Sequence, residues 1–224
     1  MFSKPVPALK PNTPDFETTP LVKPTGFREY DARWLYPSEI NLVGVQALGL
    51  GLGTLIHRMG VRPDIVVGHD YRSYSLSIKQ ALTAGLMAAG VRVHDIGLAL
   101  SPTAYFAQFE LDCPCVAMVT ASHNENGWTG VKMGVARPLT FGPDEIEQLK
   151  SIVLNAEGRT RDGGGYRFVP DMRARYLKRL DGRKLSRPIR AVVACGNGTA
   201  GLFAPDALRQ IGVDVIEMDC TPDY

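Results

Sequence analysis

The sequence predicts an α/β fold: a mixed, mostly parallel sheet with helices on both faces, followed by the start of a second α/β domain. Three observations carry that expectation. Compact apolar runs of strand length alternate with longer amphipathic runs of helical period. The connections between them are short, as a sheet covered by helices requires. A charged stretch with three successive glycines, AEGRTRDGGGYRFV from residue 156 to residue 169, interrupts the alternation, and a strand, helix, strand order resumes after it.

In chain order, residues 1–25 are rich in proline and threonine and show neither period, so they read as an extended N-terminal arm draped over a neighbouring part. The first domain is expected over 26–168. Its first helix is PSEINLVGVQALGLGLGTLIHRMG, with Ser38 as cap and Ile40, Val43, Ala47, Leu50 and Leu55 along one stripe. No strand precedes Gly49, Gly51 and Gly53, so those glycines indicate close helix packing rather than a dinucleotide loop. DIVVGHD, VRVHDIGLA and CVAMVTASH read as strands, separated by the helices SLSIKQALTAGLMAAG and SPTAYFAQFELD. GPDEIEQLKSIVLN closes the domain as a helix with acidic residues early and Lys150 late, the order that the helix dipole favours. Residues 169–224 read as an incomplete second domain: a short basic helix, DMRARYLKRL, then strand, glycine loop, helix and strand. That unit has too little apolar surface to stand alone.

Composition excludes several function classes. Lys and Arg number 25 against 23 Asp and Glu, so no basic field marks a nucleic-acid or anionic-membrane partner, and a small-molecule ligand is expected. Cys113, Cys115, Cys195 and Cys220 lack a CxxC spacing and lie in or beside apolar runs, as buried reduced thiols do, so neither zinc nor a disulfide framework is expected. The N-terminus has no apolar core of signal-peptide length, and no segment approaches the roughly 18 apolar residues of a membrane span. A soluble, cytoplasmic protein is expected. No feature indicates an oligomeric state.

Three constellations could carry chemistry. In VTASHNENGWTGVKMG, residues 119–134, Ser122, His123 and Asn124 follow a buried strand at the mouth of a glycine-bearing loop. Sites in parallel sheets lie at strand C-terminal ends, where free backbone N–H groups and helix termini can hold an anion. Lys132 can return a positive charge to that mouth, and His123 can relay a proton or orient the serine hydroxyl. The same residues could also serve as a polar turn whose serine and asparagine cap local backbone. In GFREYDARW, residues 26–34, Arg28 and Arg33 flank Tyr30 and Asp31, an arrangement suited to phosphate or to a surface ion-pair cluster. Asp70 and Arg72 of GHDYRS read as an internal ion pair anchoring their loop, and His57 and His94 as structural. GNGTAG, Gly196 to Gly201, fits a GxGxxG fingerprint with Glu217 and Asp219 at the end of the next strand, or else a tight turn packing strand against helix.

In this order, GFREYDARW, VVGHDYRSYS, GLALSPTAYFA, VTASHNENGWTGVKMG and VVACGNGTAG resemble the serial landmarks of the alpha-D-phosphohexomutases, the phosphomannomutase and phosphoglucomutase family, from about residue 26 onward. The resemblance implies a phosphoserine enzyme, an intramolecular phosphotransferase that interconverts hexose 6-phosphate and hexose 1-phosphate of mannose or glucose. Ser122 would carry the phosphoryl group, and a hexose 1,6-bisphosphate would be intermediate and activator. His123 and Asn124 would stand beside the phosphoserine, Lys132 would neutralise the transferring group or move a proton, and Arg33 would contact the phosphoryl with Tyr30 nearby. The family also implies Mg2+ held between the phosphoserine and a D-G-D-G-D-R loop. No such loop occurs in this sequence, which leaves Ser122, through its phosphoryl group, as the one metal contact. The sequence further departs from the family at Trp34, where glycine is frequent, and at His69, where arginine is common. The resemblance therefore covers domain one and the opening of domain two, with the C-terminal domains missing and the 224-residue chain expected to be inactive alone. Two other readings remain: an NAD-dependent oxidoreductase using the Gly196–Gly201 loop, and a noncatalytic sugar-phosphate-binding fragment.

Overall fold

The computed structural model describes residues 3–223. A six-stranded sheet forms from β1 (Ala32–Leu35), β2 (Asp64–His69), β3 (Arg92–Leu98), β4 (Cys115–Val119), β5 (Trp128–Gly134) and β6 (Gly165–Phe168), in the order β1-β5-β4-β2-β3-β6. Strands β4, β2, β3 and β6 run parallel, while β5 lies antiparallel between β1 and β4. The sheet is therefore mixed and mostly parallel, as the sequence predicts. Only β5 runs against the others: it comes from the far side of the serine loop, and β1, from the arginine-rich GFREYDARW, pairs with it at the sheet edge.

Helices cover both faces, and the strands are apolar on both sides in consequence. Ile65 and Val67 of β2, with Cys115, Ala117 and Val119 of β4, pack under α2 (Leu42–Arg58), α3 (Ser75–Ala88) and α5 (Pro143–Leu154). Val66, Val116 and Met118 point the other way, onto α4 (Ser101–Glu110). Lys79 of α3 reaches Asp95 of β3 with both side chains only 4% exposed, and the carboxylate also accepts from Gly97 N and the Tyr166 hydroxyl, each at 2.8 Å.

The first long helix departs from the sequence reading at its start. Asn41 rather than Ser38 caps it, and Ile40 bridges Val22 outside the helix. The Asn41 carboxamide oxygen accepts from Gly44 N at 2.7 Å and from Leu21 N at 2.9 Å, while its nitrogen donates to Phe16 O and Thr19 O. One side chain thus starts α2 and ties down the arm. The arm contains a five-residue helix, α1 (Pro14–Thr18), and buries Leu21 and Val22 against its own domain. Trp34 adds to this anchorage: its indole nitrogen donates to Lys23 O at 2.8 Å and its ring meets Phe27 edge-on at 5.3 Å. Helix α2 is buried on all sides from Gly44 to Ile56, which no single stripe would give. Glycines permit this: a Cβ on Gly49 would stand 2.2 Å from Leu82 O, and one on Gly85 2.0 Å from Gln46 O.

Beyond β6, α6 (Met172–Lys178) leads to a parallel pair, β7 (Ile189–Ala194) and β8 (Val213–Met218), connected through a 3-10 turn at Thr199–Leu202 and α7 (Ala204–Gln210). Val192, Ile216 and Met218 leave one face of this pair exposed. Among the described residues no helix is long and apolar enough to cross a membrane.

Candidate active site

The loops after β2 and β4 leave the sheet side by side, with Asp70 N donating to Val119 O at 3.0 Å. Thr120 N then donates to Gly130 O, so strands β4 and β5 stay joined up to the loop. Two residues later Ser122 adopts φ 58°, in the left-handed region, at a cost of about 1 kcal/mol for a side chain with a Cβ. The surroundings fix that conformation. Ser122 N donates to the Thr120 hydroxyl at 3.0 Å and Asn124 N to Ala121 O at 3.1 Å.

Two arginines bracket the loop. Arg33 of β1 donates through one guanidinium nitrogen to Ala121 O at 2.9 Å and to the Asn124 carboxamide oxygen, and through Nε and its other nitrogen to Asp31 at 3.0 and 2.8 Å. Arg72 donates to Asn124 O at 2.6 Å and Ser122 O at 3.4 Å, while its other guanidinium nitrogen pairs with Asp70. Asp70 in turn accepts from the Ser75 hydroxyl at 2.5 Å. The far end of the loop is held by Tyr74, whose hydroxyl donates to Trp128 O at 2.8 Å and accepts from Gly127 N at 2.9 Å.

The Ser122 hydroxyl lies 3.4 Å from His123 Nδ1, and Ser122 lines a cavity of about 750 Å³. His123 and Asn124 line it too, as do Leu100, Ser101 and Pro102 at the start of α4, whose dipole favours negative charge there. The opposite wall is the loop Cys195 to Ala200, which is linked to the first sheet where Tyr71 N donates to the Thr199 hydroxyl at 2.9 Å.

Of the residues that the sequence singles out, Ser122, His123 and Asn124 meet at the cavity, and Arg33 grips their loop from outside it. Lys132 sits on β5 in register with Met118 of β4, beyond the cavity lining, and its side chain makes no hydrogen bond or ion pair among the described residues. Tyr30 is 59% exposed and also outside the lining; a hydrogen bond with Glu29 raises its hydroxyl pKa. Tyr74, and the reach of Arg72 beyond Asp70 to the serine loop, are not read from the sequence. The position of both residues at the C-terminal end of a strand beside β4 was the available signal, and the Asp70–Arg72 pair that the sequence did predict is present. His57 bonds Ala89 O at 2.9 Å and His94 bonds Asp64 at 3.2 Å, both as structural groups.

The Gly196–Gly201 loop is a tight turn. Asn197, with φ 55°, donates from its backbone to Asp219 O at 2.7 Å, and a Cβ on Gly201 would stand 1.8 Å from Cys220 O. The loop runs into the 3-10 turn instead of a long helix, and Glu217, the acid that a ribose would need, pairs with Arg209 at 2.6 Å. The four cysteines are free thiols. Among the described residues no three His, Cys, Asp or Glu side chains cluster where they could hold a metal ion, so a Ser122 phosphoryl group with its neighbours does not complete a magnesium site.

Residues 24–160 match the family model described as phosphoglucomutase/phosphomannomutase, alpha/beta/alpha domain I. The chain is 30% identical over 198 residues to a phosphomannomutase/phosphoglucomutase of Pseudomonas aeruginosa, an alignment covering 88% of this chain and 42% of that one. It is 38% identical over 176 residues to a phosphoglucosamine mutase of Thermobifida fusca, covering 73% and 37%. Among solved structures, a phosphoglucomutase/phosphomannomutase family protein of Burkholderia thailandensis superimposes with a TM-score of 0.83 at 29% identity, over 91% of this chain and 45% of the other. The chain spans less than half the length of these relatives.

Proposed function

Given that the chain belongs to the phosphoglucomutase/phosphomannomutase family, we propose that Ser122 carries a phosphoryl group and exchanges it with a hexose phosphate in the cavity. The observation behind this reading is the conformation of Ser122, held at φ 58° in the cavity lining with its hydroxyl beside His123, and with the start of α4 on the same cavity. Phosphoryl transfer asks for placement and charge neutralisation more than for new covalent machinery.

In the forward step a free hydroxyl of a hexose monophosphate attacks phosphorus on Ser122. The new sugar O–P bond forms as the Ser122 Oγ–P bond breaks, and the proton of the attacking hydroxyl passes by way of His123 to Ser122 Oγ, giving a bisphosphorylated sugar and a free serine. After the sugar reorients, Ser122 Oγ attacks its other phosphoryl group: the serine O–P bond forms as that sugar O–P bond breaks, and the serine proton passes through His123 Nδ1, 3.4 Å away, to the departing sugar oxygen. The net change moves phosphate between the 1- and 6-positions. Asn124 would contact the substrate, while Arg33, Lys132 and Tyr30, which lie outside the cavity lining, would act from beyond it, the two cations through their charge. Mannose, glucose and glucosamine phosphates are the substrates that the relatives' names suggest.

For the 224 residues alone we expect phosphoryl exchange without full turnover. The wall opposite Ser122 offers no lysine or arginine to grip the second phosphate. Incubation with glucose 1,6-bisphosphate, followed by 31P NMR, should place a phosphoryl group on the wild-type chain and none on Ser122→Ala. Equal labelling of both would reject Ser122 as the acceptor.

A further inference from the structure

Arg72 does more than pair with Asp70. Its second guanidinium nitrogen crosses to the serine loop and donates to two carbonyls, Ser122 O at 3.4 Å and Asn124 O at 2.6 Å. Those carbonyls lie on either side of His123, and the first belongs to the left-handed Ser122 itself. Behind Arg72, Asp70 is fixed twice: it accepts from the Ser75 hydroxyl at 2.5 Å at the start of α3, and its own N–H is bonded to Val119 O at the end of β4. Both Asp70 and Ser75 are buried. The guanidinium is thus the last link in a chain running from α3 through Asp70 to the serine loop. An arginine suits that task, because its planar fork holds one carboxylate and two carbonyls at once, which a lysine's single ammonium cannot do.

We infer that Arg72 is a positioning residue that locks Ser122 in its left-handed conformation, with its hydroxyl directed into the cavity, by clamping the carbonyls on either side of His123. Arg33 grips the opposite edge of the loop, at Ala121 O and the Asn124 side chain. Neither clamp substitutes for the other, since they hold different atoms. The consequence for phosphoryl transfer rests on the function proposed above; the consequence for loop geometry does not.

The test uses the full 224-residue chain as wild type, Arg72→Met and Arg72→Lys. Amide hydrogen exchange by NMR is read at Ser122 and Asn124, whose N–H groups are bonded inside the loop, and at Cys115–Val119 of β4 as the reference. Exchange at the two loop amides should speed up at least tenfold in Arg72→Met and by a smaller factor in Arg72→Lys, with β4 unchanged. Unchanged loop exchange in either variant, or equal acceleration in β4, would overturn the inference. Phosphorylation by glucose 1,6-bisphosphate gives the second readout: in Arg72→Met the rate should drop at least tenfold at saturation while the half-saturating concentration stays put. A full rate in that variant would also overturn the positioning role. Failure of the wild-type chain to take phosphate, with the loop amides still responding to Arg72, would sustain the clamp and reject the proposed reaction.

Discussion

At Ser122 a hydroxyl, an imidazole and a strained backbone meet within one turn, and neighbouring side chains maintain the arrangement. His123 has the most direct chemical part. His123→Ala should slow phosphoryl exchange roughly a hundredfold, the scale of a lost proton-transfer group, without changing stability; an unaltered rate would remove it from the mechanism. Gly130 acts through space. A Cβ there would stand 2.3 Å from Ala32 O and 3.0 Å from Arg33 Cγ, so only glycine lets the arginine lie across the sheet toward the loop. Gly130→Ala should cost about 1–3 kcal/mol in urea unfolding and slow phosphorylation of Ser122 as well. Lys79 is a purely structural counterpart. Removing it as Lys79→Met leaves Asp95 buried without its cation, and a loss of about 3–5 kcal/mol is expected by urea denaturation.

Among the elements, the contact between α2 and α3 governs how the first core packs. The Gly85 Cα lies so near α2 that a Cβ would be 2.0 Å from Gln46 O and 2.7 Å from Leu50 N, both backbone atoms that cannot swing aside. Gly85→Ala should therefore lower stability by at least about 1–3 kcal/mol, whereas Ser151→Ala on the exposed side of α5 should fall within about 0.5 kcal/mol of wild type. The parallel strands β2, β3 and β4 and helices α3, α4 and α5 were legible in the sequence because each is a compact run with a clear period. Strand β1 was not, since its four residues alternate buried Ala32 and Trp34 with Arg33 and Leu35, and the charges around them suggested a binding loop. The start of α2 was misplaced for a related reason: Ser38 and Asn41 are equally plausible caps locally, and the choice depends on where the arm lies. For the site, the sequence made the serine loop conspicuous through Ser122, His123 and Asn124. The Asp70–Arg72 pair was legible too, but not the reach of Arg72 to the serine loop, because a contact across 50 residues or more leaves no local pattern.

At the scale of the whole molecule, the cavity lies where the six-stranded sheet faces the loop that follows β7, and both units contribute to its lining. Acid should weaken this architecture in two stages. Burial holds the His69 imidazole below its usual pKa, and its Nδ1 has no partner. As pH falls through the ordinary histidine value of about 6.5, the unfolded chain gains a proton that the folded chain refuses, so stability declines. Above that pH the group contributes nothing. Urea midpoints should be flat from about pH 8 to 7 and fall below about 6.5, and His69→Gln should diminish that fall. Asp64 behaves at lower pH: the Arg92 hydrogen bond, opposed by burial and aided by His94, lowers its pKa. Its stabilisation is complete above the ordinary aspartate value of about 3.9 and is lost as pH drops below it.

Whether Ser122 carries a phosphoryl group is read in a single experiment by intact-mass spectrometry. The protein would be isolated from its own cells, supplied with glucose 1,6-bisphosphate, and fragmented around residues 119–134. An increment of about 80 Da on Ser122 is expected. An unmodified Ser122 after that treatment, or a phosphoryl group on a different residue of the loop, would contradict it.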